Sequence, residues 1–299
     1  MVLVEVRGNS YYMNKKLHLL WSNLKDGKLT KRDDDRCYIV DGRERSGKSL
    51  FTFQQAAFID PTILDDGPNG EPLPRITFSG EDTLKAIRTT KSDLEHTKVI
   101  IFDEAFRGMS SRGTLSKENK MLSQAVQEMG QNNVILFIVA PRFFMLELYI
   151  AVLRSHALFH IAKERRTNRR YFRVYNEKKK GLLYQTGMRK GWAYNVKTGF
   201  RDKFYGHYPG GDEFEKRYRA KKLVALQTMG VGVNPEKIED SKRTKQRDKL
   251  IYYLYKEFGK TFANTSRLLE KAGVPLDDSM VRLICGKYSE KMEELTKTN

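Results

Sequence analysis

The chain has 299 residues, 55 of them Lys or Arg and 37 Asp or Glu, for a formal charge of +18. This length accommodates one domain of about 200 residues and a smaller one, and the cationic excess favours a polyanionic partner, nucleic acid ahead of an anionic membrane surface. Two distant cysteines, Cys37 and Cys285, exclude a disulfide scaffold, and the longest apolar run (134–140) is too short to cross a bilayer, so a cytoplasmic protein without a transmembrane segment is expected.

Residues 1–36 read as an N-terminal extension of mixed character, with a short helix near 17–24. Residues 37–40 are an apolar strand. They lead into Gly42-Arg43-Glu44-Arg45-Ser46-Gly47-Lys48-Ser49, which fits the phosphate-binding pattern G-x-x-x-x-G-K-[ST] at every position. The helix-like stretch 50–59 follows. In such an arrangement the backbone N–H groups of the loop wrap phosphates, and the helix N-terminus adds partial positive charge. Gly42, Arg45, Ser46, Gly47, Lys48, Ser49 and Leu50 are therefore the expected nucleotide contacts. Lys48 is placed to reach the β- and γ-phosphates, and the Ser49 hydroxyl to hold Mg²⁺, with ATP and Mg²⁺ as the expected cofactors.

A Gly- and Pro-rich loop over 65–74 precedes a short strand at 75–78 and a helix through 87 that Ser79 can cap. Residues 98–102 form a second continuous apolar strand ending in Asp103-Glu104, 55 residues after Lys48. This is a Walker B arrangement: Asp103 would hold the metal and Glu104 would polarise the attacking water. A helix over 116–130, a buried strand over 134–140, a helix over 143–153 and a strand over 157–162 complete the alternation. Continuous apolar strands interleaved with helices predict an α/β fold, a mostly parallel sheet covered on both faces, over 37–162.

Beyond residue 163 the texture changes. A basic, aromatic-laced extension over 163–219 reads as a β-hairpin, with strands at 171–175 and 182–185. Arg169, Arg170, Lys178, Lys179 and Lys180 are its candidate nucleic-acid contacts. A hairpin with an aromatic core and protective edge lysines fits equally well. A polar linker is expected over 220–246. The helical segment 247–299 then carries a turn at 272–276 of the length used by a helix-turn-helix, with Asp277 or Asp278 as a cap and Arg282 and Lys287 as candidate DNA contacts. A three-helix protein-binding module is the competing reading. His156 and His160, four residues apart, read as structural residues in preference to metal ligands.

The paired motifs resemble those of P-loop ATPases that have an additional strand between the Walker elements and a catalytic glutamate, the additional strand here being assigned to 75–78. A narrower resemblance, carried by Asp103-Glu104-Ala105-Phe106-Arg107-Gly108, Ser111-Arg112-Gly113, Asn132-Asn133-Val134 and Pro141-Arg142-Phe143-Phe144, is to the zonular-occludens-toxin-like ATPases of viruses and mobile elements, relatives of the HerA–FtsK DNA-pumping group. It implies a homo-oligomeric motor, a ring among its forms, that packages or exports DNA. Such motors complete the site with an arginine from a neighbouring subunit, for which Arg142 and Arg154 are the leading candidates and Arg112 a third. The polar sensor that such ATPases often place at the end of the fourth strand is not evident, and Ala140-Pro141 in that region leaves it unidentified. Two other readings stay open: an ATP-dependent DNA-binding regulator of transposition or replication, and an ATP-gated membrane-assembly protein.

Overall fold

The computed structural model describes residues 1–103, 112–164, 166–231, 242–259, 261–271 and 276–286, without the side chains of 112–119, 228–231 and 242–246. It divides into two units, Met1–Gly230 and Val231–Asn299.

The first unit is built on a seven-stranded sheet. Its strands are β3 (Arg36–Gly42), β4 (Ile76–Thr77), β5 (Val99–Phe102), β6 (Ile135–Ala140), β7 (Ala157–Lys163), β8 (Arg170–Asn176) and β9 (Phe200–Lys203). The spatial order is β4-β5-β6-β3-β7-β8-β9. The first five are mutually parallel; β8 and β9 add on antiparallel. Side chains alternate between two cores: Tyr38 and Val40 of β3 enter one with Phe137 and Val139, and Cys37 and Ile39 enter the other with Leu136 and Ile138. Burial on both faces explains why these strands read as unbroken apolar runs.

The strand lying between the loop-bearing β3 and β5 is β6, and the 75–78 segment is a two-residue strand at the sheet edge. The additional strand is therefore β6 and not 75–78, because sequence order between two motifs does not give spatial order between two strands.

Helix α2 (Lys48–Ile59) follows β3 and is apolar on nearly every side, with Leu50, Phe51, Phe53, Ala56 and Ala57 all buried. A helix of that kind needs cover beyond the sheet, and the N-terminal residues supply it. β1 (Val2–Val6) and β2 (Asn9–Met13) form a hairpin whose turn residues Arg7 and Gly8 both have positive φ, 51° and 76°, the geometry that matches strand twist. Helix α1 (Lys15–Ser22), capped by the Asn14 side chain, buries Trp21 edge-on to Tyr38, with the indole N–H donating to Gln55. Two further helices, α3 (Gly80–Thr89) and α4 (Arg112–Glu128), lie on the other core.

The hairpin expected after residue 170 does not form. β8 pairs with β7 and β9, and residues 177–189 are helix α5 (Glu177–Arg189). The Asn176 side chain accepts from Lys179 N, and Glu177 lies in the first turn, both helix-start features. Lys180 is consequently buried, its ammonium donating to the Ser155 carbonyl and, at 2.7 Å, to the Ser155 hydroxyl. It cannot serve as the nucleic-acid contact expected of it. The first part of the expected linker is helical: after the short strand β10 (Tyr205–Gly206), which pairs with β2, helix α6 runs through Gly211–Val231.

Burial holds the Lys180 ammonium down to about 8, from an ordinary 10.5. The fold therefore favours the neutral amine. The cost of protonating it is absent above pH 10.5, grows as pH falls, and is complete below about 8. We expect Lys180→Met to remove this dependence: between pH 10.5 and 8 the stability of the native chain should fall by roughly 3 kcal/mol relative to the variant. Urea melts of both proteins at the two pH values check this, and parallel changes in both would refute it.

In the second unit, α7 (Lys242–Leu254), α8 (Phe262–Lys271) and a helical stretch over 278–286 enclose Ile251, Leu269, Val281, Ile284 and Cys285. Asp277 caps the last stretch, accepting from Met280 N at 2.8 Å. Arg282 is exposed, with its guanidinium carbon 5.3 Å from the centroid of the Phe262 ring. Lys287 and most of the expected turn at 272–276 lie outside the described residues.

Candidate functional site

The loop from Gly42 to Ser49 leaves the C-terminal end of β3 and closes on the start of α2. Two of its glycines are sterically required. Gly42 has φ 147°, and a Cβ there would lie 2.2 Å from the Ile161 carbonyl oxygen. Gly47 has φ 97°, and its Cβ would come within 3.0 Å of Arg170 Cδ and 3.4 Å of Phe204. Arg45 also adopts a left-handed backbone, φ 57°. No side chain caps α2, which leaves its N-terminal N–H groups facing the loop. The Ser46 hydroxyl is buried without a hydrogen-bond partner among the described residues. A loop with an uncapped helix end and an orphaned buried hydroxyl is suited to an anion with several acceptor oxygens.

Lys48 Nζ donates to the carbonyls of Gly42 at 2.8 Å and Arg43 at 3.0 Å, holding the ammonium across the loop. Asp103, fully buried, is fixed at the end of β5 by its N–H donating to Thr77 O at 2.9 Å. Ser49 Oγ lies 3.2 and 3.4 Å from the two Asp103 carboxylate oxygens. The structure thus brings the two expected metal ligands together. A hydroxyl beside a carboxylate is a hard-oxygen pair that fits Mg²⁺. Glu104 lies outside the described residues.

The same carboxylate has partners that the sequence did not announce. From α6, Tyr218 donates its hydroxyl to Asp103 Oδ2, and Lys222 Nζ lies 3.4 Å from that oxygen and 3.1 Å from the Tyr218 hydroxyl. Phe214 and Tyr218 seat the helix by packing edge-on against Phe53 of α2, at centroid distances of 5.1 and 4.7 Å. Burial, and then the Asp103 charge, push the Tyr218 phenol far above its usual range, so it stays a donor.

On the other side of the loop is a cavity of about 1090 Å³, lined by Gly42–Ser46 together with Arg142, His160, Trp192 and Tyr194. Asp41, buried directly before Gly42, accepts from Phe143 N at 2.9 Å and from the Tyr194 hydroxyl, and lies 2.9 Å from His160 Nδ1. Tyr194 stacks on His160 with centroids 3.8 Å apart. His156 Nδ1 accepts from Cys37 N. Both histidines are thus engaged within the sheet.

The remaining predicted residues scatter. Arg142 is exposed at the mouth of the large cavity, and the side chain of Arg112 is outside the description. Arg154 is bound to Asp35 and donates to Val126 O at 3.2 Å. It stands at the start of the parallel strands, the end of the sheet opposite its own chain's loop, where the Asp35 carboxylate engages its guanidinium. Arg169 and Lys178 are exposed, whereas Arg170 lies against Gly47 and so belongs to the loop's surroundings. Its signal is the antiparallel return of β8, which sets the first residue of that strand beside the last of β7.

No protein-family model matches the chain, and no curated protein matches it. Among solved structures it is similar to the N-terminal domain of zonular occludens toxin from Neisseria meningitidis, at 11% identity over 61% of this chain and 97% of that one, with a TM-score of 0.29. The DNA-packaging ATPase B204 of Sulfolobus turreted icosahedral virus is similar at 13% identity, covering 48% of this chain and 93% of that one, TM-score 0.31. The genome packaging NTPase B204 of Sulfolobus turreted icosahedral virus 2, solved with AMPPCP, is similar at 14% identity, covering 48% of this chain and 93% of that one, TM-score 0.30. TM-scores of this size do not define a fold. The fold rests here on strand order and loop geometry, which are those of a P-loop NTPase with a strand between its two Walker strands.

Proposed function

We propose that the chain is a Mg²⁺-dependent ATPase whose turnover acts on DNA, as a translocation or packaging motor. The observation that carries the hydrolytic part is the Ser49 hydroxyl on the Asp103 carboxylate, at the mouth of a loop that only glycine can form at Gly42 and Gly47. Lys48 and the first turn of α2 bind and orient the phosphates, and Asp103 and Ser49 hold the metal. Bound Mg²⁺ neutralises phosphate charge and orients the transferred group. Glu104, next in sequence to Asp103, is the proposed acceptor of the water proton, and Arg142 of a neighbouring copy the proposed finger in a homo-oligomer. Arg170, packed over Gly47, is a second arginine within reach of the phosphates. The net charge of +18 supports DNA as the partner. No helix among the described residues is long and apolar enough to cross a membrane, and the proposed setting is the cytoplasm.

The test is phosphate release with and without duplex DNA, together with displacement of a triplex strand. A motor should show salt-sensitive DNA stimulation and displacement. DNA-dependent assembly without displacement would favour a regulator of transposition or replication, and stimulation by anionic vesicles alone would remove DNA from the proposal.

Lys222 adds an expectation of its own. Its ammonium competes with a divalent cation for Asp103, so Lys222→Met should lower the Mg²⁺ concentration needed for half-maximal nucleotide binding by about tenfold, the size of one charge-assisted hydrogen bond. Titration of a fluorescent ATP analogue at stepped Mg²⁺ reads this, and an unchanged midpoint would show that Lys222 does not compete.

A further inference from the structure

We propose that the uncovered end of the sheet, where β8 and β9 meet the start of α5 and the segment 194–199, binds the phosphodiester backbone of a nucleic-acid strand. The inference deepens the DNA reading above and rests on it. Arg173 on β8 stands directly opposite Arg201 on β9, and Tyr171 opposite Lys203. Like charges facing each other across strands are destabilising. Several other arginines of this unit meet carboxylates: Arg36 with Asp34, Arg75 with Asp60, Arg88 with Glu128, Arg217 with Asp66. Arg173 and Arg201 instead share the ring of Tyr171, each guanidinium carbon 5.5 Å from its centroid. That arrangement orients the two forks without neutralising them.

The surroundings add cations and polar groups, while the two nearby acids, Glu177 at the start of α5 and Asp202 on β9, which accepts from Asn14, do not line the cavity. Residues 171, 173 and 175 share one face of β8. Tyr175 is buried there beneath α5 with Leu183, while Tyr171 and Arg173 stay partly exposed. A cavity of about 610 Å³ opens beside Arg173, lined by Arg173, Lys197 and Arg201 with Asn195, Thr198 and Tyr194, and no Asp or Glu among the described residues lines it. Lys179 Nζ closes the far side, 3.2 Å from where a Gly199 side chain would begin. Oriented arginine forks, further cations and amide and hydroxyl groups in a concave strip match successive phosphates, and release of condensed counterions drives the binding. Tyr194 lines this cavity and the larger one by the loop, and it bonds Asp41, the residue before Gly42. A strand in the basin would therefore press on the support of the phosphate loop.

The test compares the wild-type chain with R173A/K197A/R201A and with a charge-matched control, R32A/K85A/K91A, by fluorescence anisotropy on labelled single- and double-stranded DNA across a salt series. We expect the basin variant to lose at least tenfold in affinity and its salt slope to fall by about 2 to 3, as for two to three lost phosphate contacts, with the control within threefold of wild type. The strand form showing the larger loss identifies the ligand. Arg201→Gln, a single exposed change, keeps the test decisive should the triple variant misfold, and its expected loss is about threefold. Wild-type DNA binding that both basin variants retain, with an unchanged slope, would overturn the basin and leave the DNA reading standing. Absence of wild-type binding to any DNA, or basin-dependent binding to phosphatidylserine vesicles alone, would overturn both.

Discussion

Lys48→Ala is expected to lower ATP turnover by about 10²- to 10³-fold, the range found when one preorganised donor to developing charge is removed. Lys48 is the first residue of α2, and its ammonium already spans the loop to the Gly42 and Arg43 carbonyls. With nucleotide present the same group can turn to the phosphates, since two neutral carbonyls hold it less strongly than a phosphate does. Alanine preserves the helix, being its best former, and leaves the buried side chains of α2 in place. The variant should therefore melt close to wild type while phosphate release collapses. A variant within fivefold of wild-type turnover would show that Lys48 holds the loop's shape and contributes nothing to transfer.

Glu104→Gln should behave differently, keeping ATP bound while stopping release of phosphate. Asp103 is anchored by Thr77 and Ser49, so the metal side of the site persists when its neighbour is changed. Gln retains the size and hydrogen bonding of Glu but has no basic oxygen to accept a proton at neutral pH. The expected fall in turnover is about 10²- to 10⁴-fold, the usual contribution of a positioned base. Filter binding of labelled ATP, paired with single-turnover hydrolysis, separates the two effects. Turnover near wild type would take the base assignment away from Glu104.

The parts of this site that can be read from sequence are those made by neighbours in the chain. Gly42 to Ser49 announces its loop because glycine is required at two of its positions, and Asp103 announces itself as the polar end of an apolar strand. Contacts across the chain leave no such trace. Tyr218 reaches Asp103 from 115 residues further along, in a stretch that the sequence places only within a basic, aromatic-laced extension. Arg170 owes its place over Gly47 to the antiparallel return of β8. The 171–185 region reads wrongly as a hairpin because its aromatic residues suit either strand or helix, and the decisive signs, the Asn176 cap and Glu177 in the first turn, are two residues long. At the N-terminus the alternation of Val2, Val4 and Val6 before Arg7-Gly8 is a hairpin signal that the mixed composition of the segment hides.

Helix α6 reaches Asp103 through Tyr218 and Lys222 and ends at Val231, where the second unit starts. Its grip on the nucleotide-binding region includes a phenol and an ammonium on the one carboxylate that a metal also needs. In the proposed ATPase a metal on Asp103 would displace both groups, so the seating of α6 and the occupancy of the site would be thermodynamically linked.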